Sequence, residues 1–182
     1  MVRAFAVIAE TGVLERPMQR EQKMRKLAVL LATGFGLGYS PVASGTVGTL
    51  LAFPIVWLMF RFLGDHLLGQ LVFAALLAGL AVPICDAAEK TFGTKDDGRI
   101  VADEYLTFPI CMLGLSWGWR LVLIAFLSCR FFDIVKPPPA NRLQALHGGL
   151  GIVIDDVLAS FYSLVANHVV IALLNRYTGW LA

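Results

Sequence analysis

LGIVIDDVLASFYSLVANHVVIALL, residues 150–174, is the stretch that decides the fold. Its length and apolar character match what a helix needs to cross about 30 Å of hydrocarbon, roughly 20 residues. Yet Asp155 and Asp156 stand side by side near its start, with apolar residues on both flanks. Carboxylates in such surroundings are costly unless they meet a cation, a proton or water. The segment therefore predicts both a membrane helix and a functional site near one of its ends.

The rest of the chain agrees with a bilayer as solvent. Over 182 residues the hydrophobic fraction is 58%, and the mean hydropathy is +0.73. Both exceed what a soluble domain normally carries. No composition shift argues for two units. Residues 1–26 read as a polar, basic tail, poorly ordered or interfacial, and 27–182 as one membrane domain. The run Ala4 to Ala9 is too short for the apolar core of a secretion signal. Cys85, Cys111 and Cys129 lie in apolar stretches without CxxC spacing and read as packed core thiols. The net charge of +2 gives no sign of a nucleic-acid partner.

Apolar segments at Thr46 to Leu63, His66 to Cys85, about Ile100 to Leu113, about Trp117 to Val135 and about Leu150 to Leu174 predict an all-α, polytopic membrane bundle. It has about four to five apolar helices, some short or partly submerged. Gly64-Asp65 and Gly114-Leu115-Ser116 are the turns, residues 86–99 a charged connection, and Lys136 with three following prolines a helix stop. Trp117, Trp119 and Arg120, and again Arg176, Tyr177 and Trp180, suit membrane interfaces.

Five crossings would place 1–45, 86–103 and 130–156 on one side. That side holds 12 of the 15 basic residues, Arg142 among them; only Arg61, Arg120 and Arg176 fall opposite. By the positive-inside rule it is the cytoplasmic side. The same side collects every acid except Asp65, Glu104 standing at its boundary. Asp103, Glu104, Asp133, Asp155 and Asp156 would thus meet Arg130 and Lys136 at one membrane surface.

Arg130, Asp133 and Lys136 follow one another at i+3 steps along a helix end, suiting a phosphate clamp beside a metal ligand. An ordinary ion pair is the plainer reading of the same spacing. Asp103 and Glu104 point about 100° apart on a helix, so one would aim at a shared centre and the other serve nearby. Hard oxygen ligands without a Cys or His cluster suit magnesium, which joins a few carboxylates to a substrate phosphate. His147, beside Gly148-Gly149, is a candidate acid or loop contact. In the segment Gly34 to Thr46 the glycines would let backbone N–H groups approach an anion at a helix start. Gly36, Ser44 and Thr46 are its substrate-binding candidates.

Four stretches taken together, GFGLGYSPVASGTVGTL (34–50), KDDGRIVADE (95–104), RFFDIVKPPP (130–139) and HGGLGIVIDDVLAS (147–160), resemble the phosphatidylglycerophosphatase A family of bacterial membrane lipid phosphatases. The resemblance implies magnesium-dependent hydrolysis of the phosphomonoester of phosphatidylglycerophosphate at the inner membrane. It carries site roles onto Thr46, Asp103, Glu104, Arg130, Asp133, Lys136, Asp155 and Asp156, and adds Asp96. The chain departs from the family pattern at Thr107, Cys129, Pro138 and Ser160, none of them charged. A small cation-coupled transporter or channel is the competing class, since intramembrane acids also line ion paths.

Overall fold

The computed structural model describes residues 15–139, 143 and 146–178, and among these every regular element is helical. The elements are α1 (Glu15–Ala32), α2 (Ser44–Thr49), α3 (Ala52–Leu63), α4 (Leu67–Phe92), α5 (Ala102–Thr107), α6 (Trp119–Val135) and α7 (Gly149–Thr178). Short 3-10 turns occupy Leu37–Tyr39 and Phe108–Met112. The first part of the expected tail (1–14), Arg142 and Trp180 lie outside the described residues.

Three segments are long and apolar enough to cross a membrane: Ser44–Leu63, Leu67–Phe92 and Gly149–Tyr177. Around them, large apolar side chains such as Leu68, Leu76, Leu127, Phe161 and Val169 face outward. Contiguous exposed apolar surface of this kind belongs against lipid. The expected hairpin between residues 100 and 135 is shorter than two full crossings. α5 with its 3-10 extension spans about 19 Å, and α6 about 25 Å. The α5 arm is buried almost throughout, so protein rather than lipid surrounds it.

Local chemistry explains where element boundaries depart from the expected ones. α1 runs through the anticipated boundary at 26, because its polar half (Glu21, Gln22, Lys23, Arg25, Lys26) consists of good helix formers. Pro54 has no N–H to offer the Leu50 carbonyl. Phe53 N–H bonds it instead at 3.2 Å, and the tightened turn separates α2 from α3. Charged residues 86–92, anticipated as a connection, form the last two turns of α4. The Asp86–Lys90 pair at 2.6 Å supports them. Gly93, in the left-handed region at φ 73°, caps them by donating to the Glu89 carbonyl at 2.8 Å. α5 gives way to the 3-10 turn one residue before Pro109, and the Thr107 hydroxyl bends back onto the Asp103 carbonyl at 2.7 Å.

Packing sets the height at which each helix ends. Ala74, Ala81, Cys85 and Ala88 make a small-residue stripe on α4, which lets neighbouring helices come close. Phe53 meets Phe126 edge-on at 5.5 Å, joining α3 to α6. α6 and α7 are pinned by polar rungs. Ser128 Oγ donates to Asn167 Oδ1 at 2.7 Å, and Asn167 Nδ2 donates to the Cys111 carbonyl at 3.1 Å. At one pole of the bundle Gln70 donates to the Gly64 carbonyl at 2.7 Å and accepts from Gly114 N–H at 3.0 Å. His168 Nε2 lies 2.9 Å from the Leu113 carbonyl there. These contacts leave the C-terminal ends of α4 and α6 and the N-terminal ends of α5 and α7 together at the opposite pole.

Candidate active site

At that opposite pole the expected acids and cations meet. Arg130, on the last turns of α6, reaches across to α5 and back along its own helix. Nη1 donates to Glu104 Oε2 and, at 2.9 Å, to Thr49 Oγ1; Nη2 donates to Asp133 Oδ2. The Thr49 hydroxyl lies 2.6 Å from the same Glu104 oxygen and 2.8 Å from the Gly45 carbonyl. One guanidinium thus links α2, α5 and α6. Arg130 and both acids are largely shielded from solvent, so removing any one of them would leave an uncompensated buried charge, a larger loss than breaking a surface ion pair.

Lys136 occupies the residue after α6 with a left-handed backbone, φ 45°. That turn carries its ammonium to Asp155 Oδ2 on α7, at 2.7 Å. Partial burial works against the charged lysine, but the hydrogen bond and charge of Asp155, with Asp156 and Asp96 nearby, outweigh it, and its pKa is raised.

Asp103, Asp155 and Asp156 are only 5–6% exposed. Asp103 and Asp156 stand within hydrogen-bonding reach of each other. Two carboxyl groups that close repel unless a proton or a cation lies between them. Asp103 Oδ1 and Asp155 Oδ1 are buried without a hydrogen-bond partner. Orphaned buried carboxylate oxygens are rare and expensive. Here they are hard donors of the kind magnesium takes. Among the described residues no three His, Cys, Asp or Glu side chains form a ready metal cage. A magnesium site does not require one, because that ion binds through one or two carboxylates, water and substrate phosphate.

The remaining candidates divide. Asp96, in the loop after α4 with φ 50°, adds its field to Asp103, Glu104 and Asp155. Ser44 ties the start of α2 to the loop before α5, its hydroxyl donating to the Gly98 carbonyl at 2.7 Å. Gly36 is exposed with φ 98° and open space around it. Thr46 is half-buried and His147 exposed. The glycines that matter in the 34–48 stretch are packing glycines. A side chain on Gly48 would lie 2.5 Å from Val101 Cβ, and one on Gly38 would lie 2.9 Å from the Arg99 carbonyl carbon. They let this stretch lie against 98–104 and bring Thr49 to Glu104.

Thr49, Gly45 and Glu89 escaped the sequence reading. Thr49 has a signal in hindsight: it lies one turn beyond Gly45 and faces α5. Glu89 has an orphaned, buried Oε2 one turn after Cys85, which lies within the field of Asp103, Asp156 and Asp96.

Size does not mark this site. A cavity of about 710 Å³ lies at the other pole among Gly114, Trp117, Trp119, Arg120, His168 and Asn175. Among the described residues its lining carries no carboxylate. Fold and site define a helical membrane protein with a cation-braced cluster of acids at one pole.

The comparisons say which one. The family described as Phosphatidylglycerophosphatase A matches residues 30–171. A Bacteroides thetaiotaomicron protein named "Putative phosphatidylinositol-3-phosphatase" is 40% identical over 153 residues, covering 76% of this chain and 90% of that protein. The Escherichia coli Phosphatidylglycerophosphatase A is 38% identical over 136 residues, 74% of this chain and 77% of its own length. The Haemophilus influenzae protein of the same name is 35% identical over 155 residues, 81% and 94% of the two chains. No solved structure matches the chain. The chain belongs to the phosphatidylglycerophosphatase A family and is a phosphatase.

Proposed function

We propose that this protein hydrolyses the terminal phosphomonoester of phosphatidylglycerophosphate, with magnesium, at the cytoplasmic surface of the inner membrane. One observation carries the reading: buried Asp103, Asp155 and Asp156 meet Arg130 and Lys136 at one pole of a membrane bundle. The names of two relatives supply the substrate, and a third relative, named for a different lipid phosphate, keeps the class at phosphomonoesters of membrane lipids. The orientation rests on the basic residues that share this pole.

Asp103 and Asp155 would hold magnesium through their bare oxygens, with Asp96, Asp133 and Glu104 close by. Bound there, the ion would neutralise phosphoryl oxygens and bring an oxygen nucleophile within reach. The chain's own groups do the rest. Lys136 and Arg130 present N–H donors to the phosphoryl oxygens, where charge-assisted bonds are strongest. Glu104 positions Arg130, its Oε2 being taken by the guanidinium and by Thr49. Asp156 takes the proton of the attacking water. The water oxygen bonds to phosphorus, the ester P–O bond breaks, and the leaving glycerol oxygen takes up the proton held by Asp156. Phosphatidylglycerol and inorganic phosphate result, without a phosphoenzyme.

Among the described residues no line of buried charges runs through the bundle away from this pole, which disfavours the transporter reading. Among the described residues, the fully buried polar side chains away from this pole are neutral, such as Gln70, Ser163 and Asn167. Phosphate release from phosphatidylglycerophosphate, phosphatidylinositol 3-phosphate and phosphatidate, with magnesium or with chelator, tests the proposal. Fastest turnover of the first, abolished by chelator and by Asp156→Asn, is expected. Turnover indifferent to both would overturn it.

A further inference from the structure

Two adjoining cavities lie between α1 and α4, outside the catalytic cluster. One is an apolar groove of about 380 Å³, with Leu27, Ala28 and Leu31 on one wall and Leu80, Pro83 and Ile84 on the other. The other is a pocket of about 190 Å³ lined by Arg25, Asp86, Ala87, Lys90 and Thr91. Arg25 and Ala87 line both, so the two adjoin. We propose that together they bind one anionic glycerophospholipid, an acyl chain in the groove and the headgroup phosphate at Arg25 and Lys90.

The geometry favours this occupant over others. The groove alone has the size of a small-molecule site, and its walls are apolar. Leu30 and Leu76, on the same two helices, are exposed apolar residues suited to lipid. The pocket at its end contains two cations and one acid, with Lys90 held to Asp86 at 2.6 Å. It is therefore net positive, and on the same stretch of α1 Arg20, Lys23 and Lys26 outnumber the one acid, Glu21. A basic cluster where a helix leaves the membrane attracts anionic headgroups. An apolar slot ending in a cationic pocket is the complement of an acyl chain ending in a phosphodiester. A zwitterionic lipid satisfies the slot and gains less from the pocket.

The site stands apart from the catalytic acids but shares their scaffold. Leu31, on the groove wall, accepts the Tyr105 hydroxyl through its carbonyl at 2.9 Å, and Asp86 accepts Gly149 N–H at 3.4 Å. Lipid seated here would brace α1 and α4 against the elements that carry Asp103 and Asp155.

The test uses the full chain purified in detergent and native mass spectrometry after mixing with equal amounts of phosphatidylglycerol and phosphatidylcholine of matched chains. Wild type is expected to retain phosphatidylglycerol at least fivefold over phosphatidylcholine. The double variant Arg25→Gln/Lys90→Gln should bring that ratio to near one. Ala28→Trp, filling the groove, should lower retention of both lipids. Should that variant fold poorly, Leu80→Gln, at a half-exposed position, reads the same loss. Equal retention of the two lipids by wild type overturns the proposal. So does a preference that survives loss of both cations, or retention indifferent to the groove variants. Because the readout is binding without turnover, failure here is separable from failure of the catalytic assignment.

Discussion

Replacing Gly45 by alanine should silence the site without unfolding the protein. Gly45 opens the first turn of α2 directly against Glu104. A Cβ there would lie 2.8 Å from the Glu104 carboxyl carbon and 2.9 Å from Oε2, with Oε1 nearer still. Carbon atoms in comfortable contact stand about 3.5–4.0 Å apart, so the carboxylate must retreat by roughly 1 Å. It can do so, being the free end of a flexible side chain. In retreating it gives up the Thr49 hydroxyl at 2.6 Å and loosens its grip on Arg130. Misplacing a catalytic group by about 1 Å costs on the order of a hundredfold in rate, or about 2.7 kcal/mol in barrier height. Initial phosphate release from saturating lipid substrate should therefore fall about a hundredfold in kcat. Detergent-stable yield and Tm should stay near wild type. Gly38→Ala is the contrasting control. Its Cβ would press on the Arg99 backbone, 2.9 Å from the carbonyl carbon, where nothing flexible can yield. That variant should lose stability first. A Gly45→Ala enzyme with undiminished kcat would refute the role given to Glu104.

Four further outcomes follow from the geometry. Asp103→Asn and Asp155→Asn each remove a buried, unpartnered carboxylate oxygen, so Mn²⁺ binding followed by electron paramagnetic resonance should weaken at least tenfold in either; unchanged affinity in both rules out these two as ligands. Lys136→Met leaves Asp155 without its cation, and should cost about 10²–10³ in kcat, as the loss of a transition-state donor does; turnover within threefold of wild type would contradict it. Asn167→Leu breaks the bonds to Ser128 and the Cys111 carbonyl and should cost about 1–2 kcal/mol in reversible unfolding in bicelles, given what interhelical hydrogen bonds contribute, while turnover per folded molecule is retained. The Arg99 hydrogen bonds hold the Asp97 carboxyl below its ordinary range, so its stabilisation is complete above about pH 4 and fades as pH falls through the lowered value; the Tm gap between wild type and Asp97→Asn should shrink only in that acid range, and a gap constant down to about pH 2 speaks against the pair.

The separation between what could and could not be read in the sequence follows from the range of each interaction. The acids were legible because the bilayer makes them improbable. Asp155 and Asp156 inside an apolar run, and Asp103-Glu104 after Ile100-Val101-Ala102, announce themselves by cost alone. Their convergence was legible because helices that alternate in direction bring their charged ends to one face. Partner choice was not. Arg130 and Asp133 are an i, i+3 pair in sequence and in structure, yet the contact that organises the site is Arg130 to Glu104. That contact spans 26 residues and depends on how far α5 rises against α6. The height is set by the Thr107 back-bond, the turn over Pro109 and the Asn167 rung to Cys111, none of which has a periodic signature. Thr49 illustrates the same limit. A hydroxyl on an apolar helix reads as a packing residue until the glycines at 38, 45 and 48 are seen to let two backbones touch.

The same contacts decide how the two cations are held. Arg130 is braced by two carboxylates from different helices and Lys136 by a third, so neither cation has to be ordered when a phosphate arrives. A flexible cation would lose side-chain entropy on binding, up to about 2 kcal/mol for Lys or Arg, and a preorganised donor avoids that loss at the moment of reaction. Removing one brace at a time separates this effect from simple charge. Asp133→Asn preserves the size of the side chain and the Arg130–Glu104 contact but removes a negative charge. If the braces serve only to neutralise Arg130, the variant's guanidinium should attract phosphate more strongly and KM should fall. If they serve to orient it, kcat should fall while KM stays level. Preorganisation predicts the second outcome, and a lowered KM with kcat intact would decide for neutralisation.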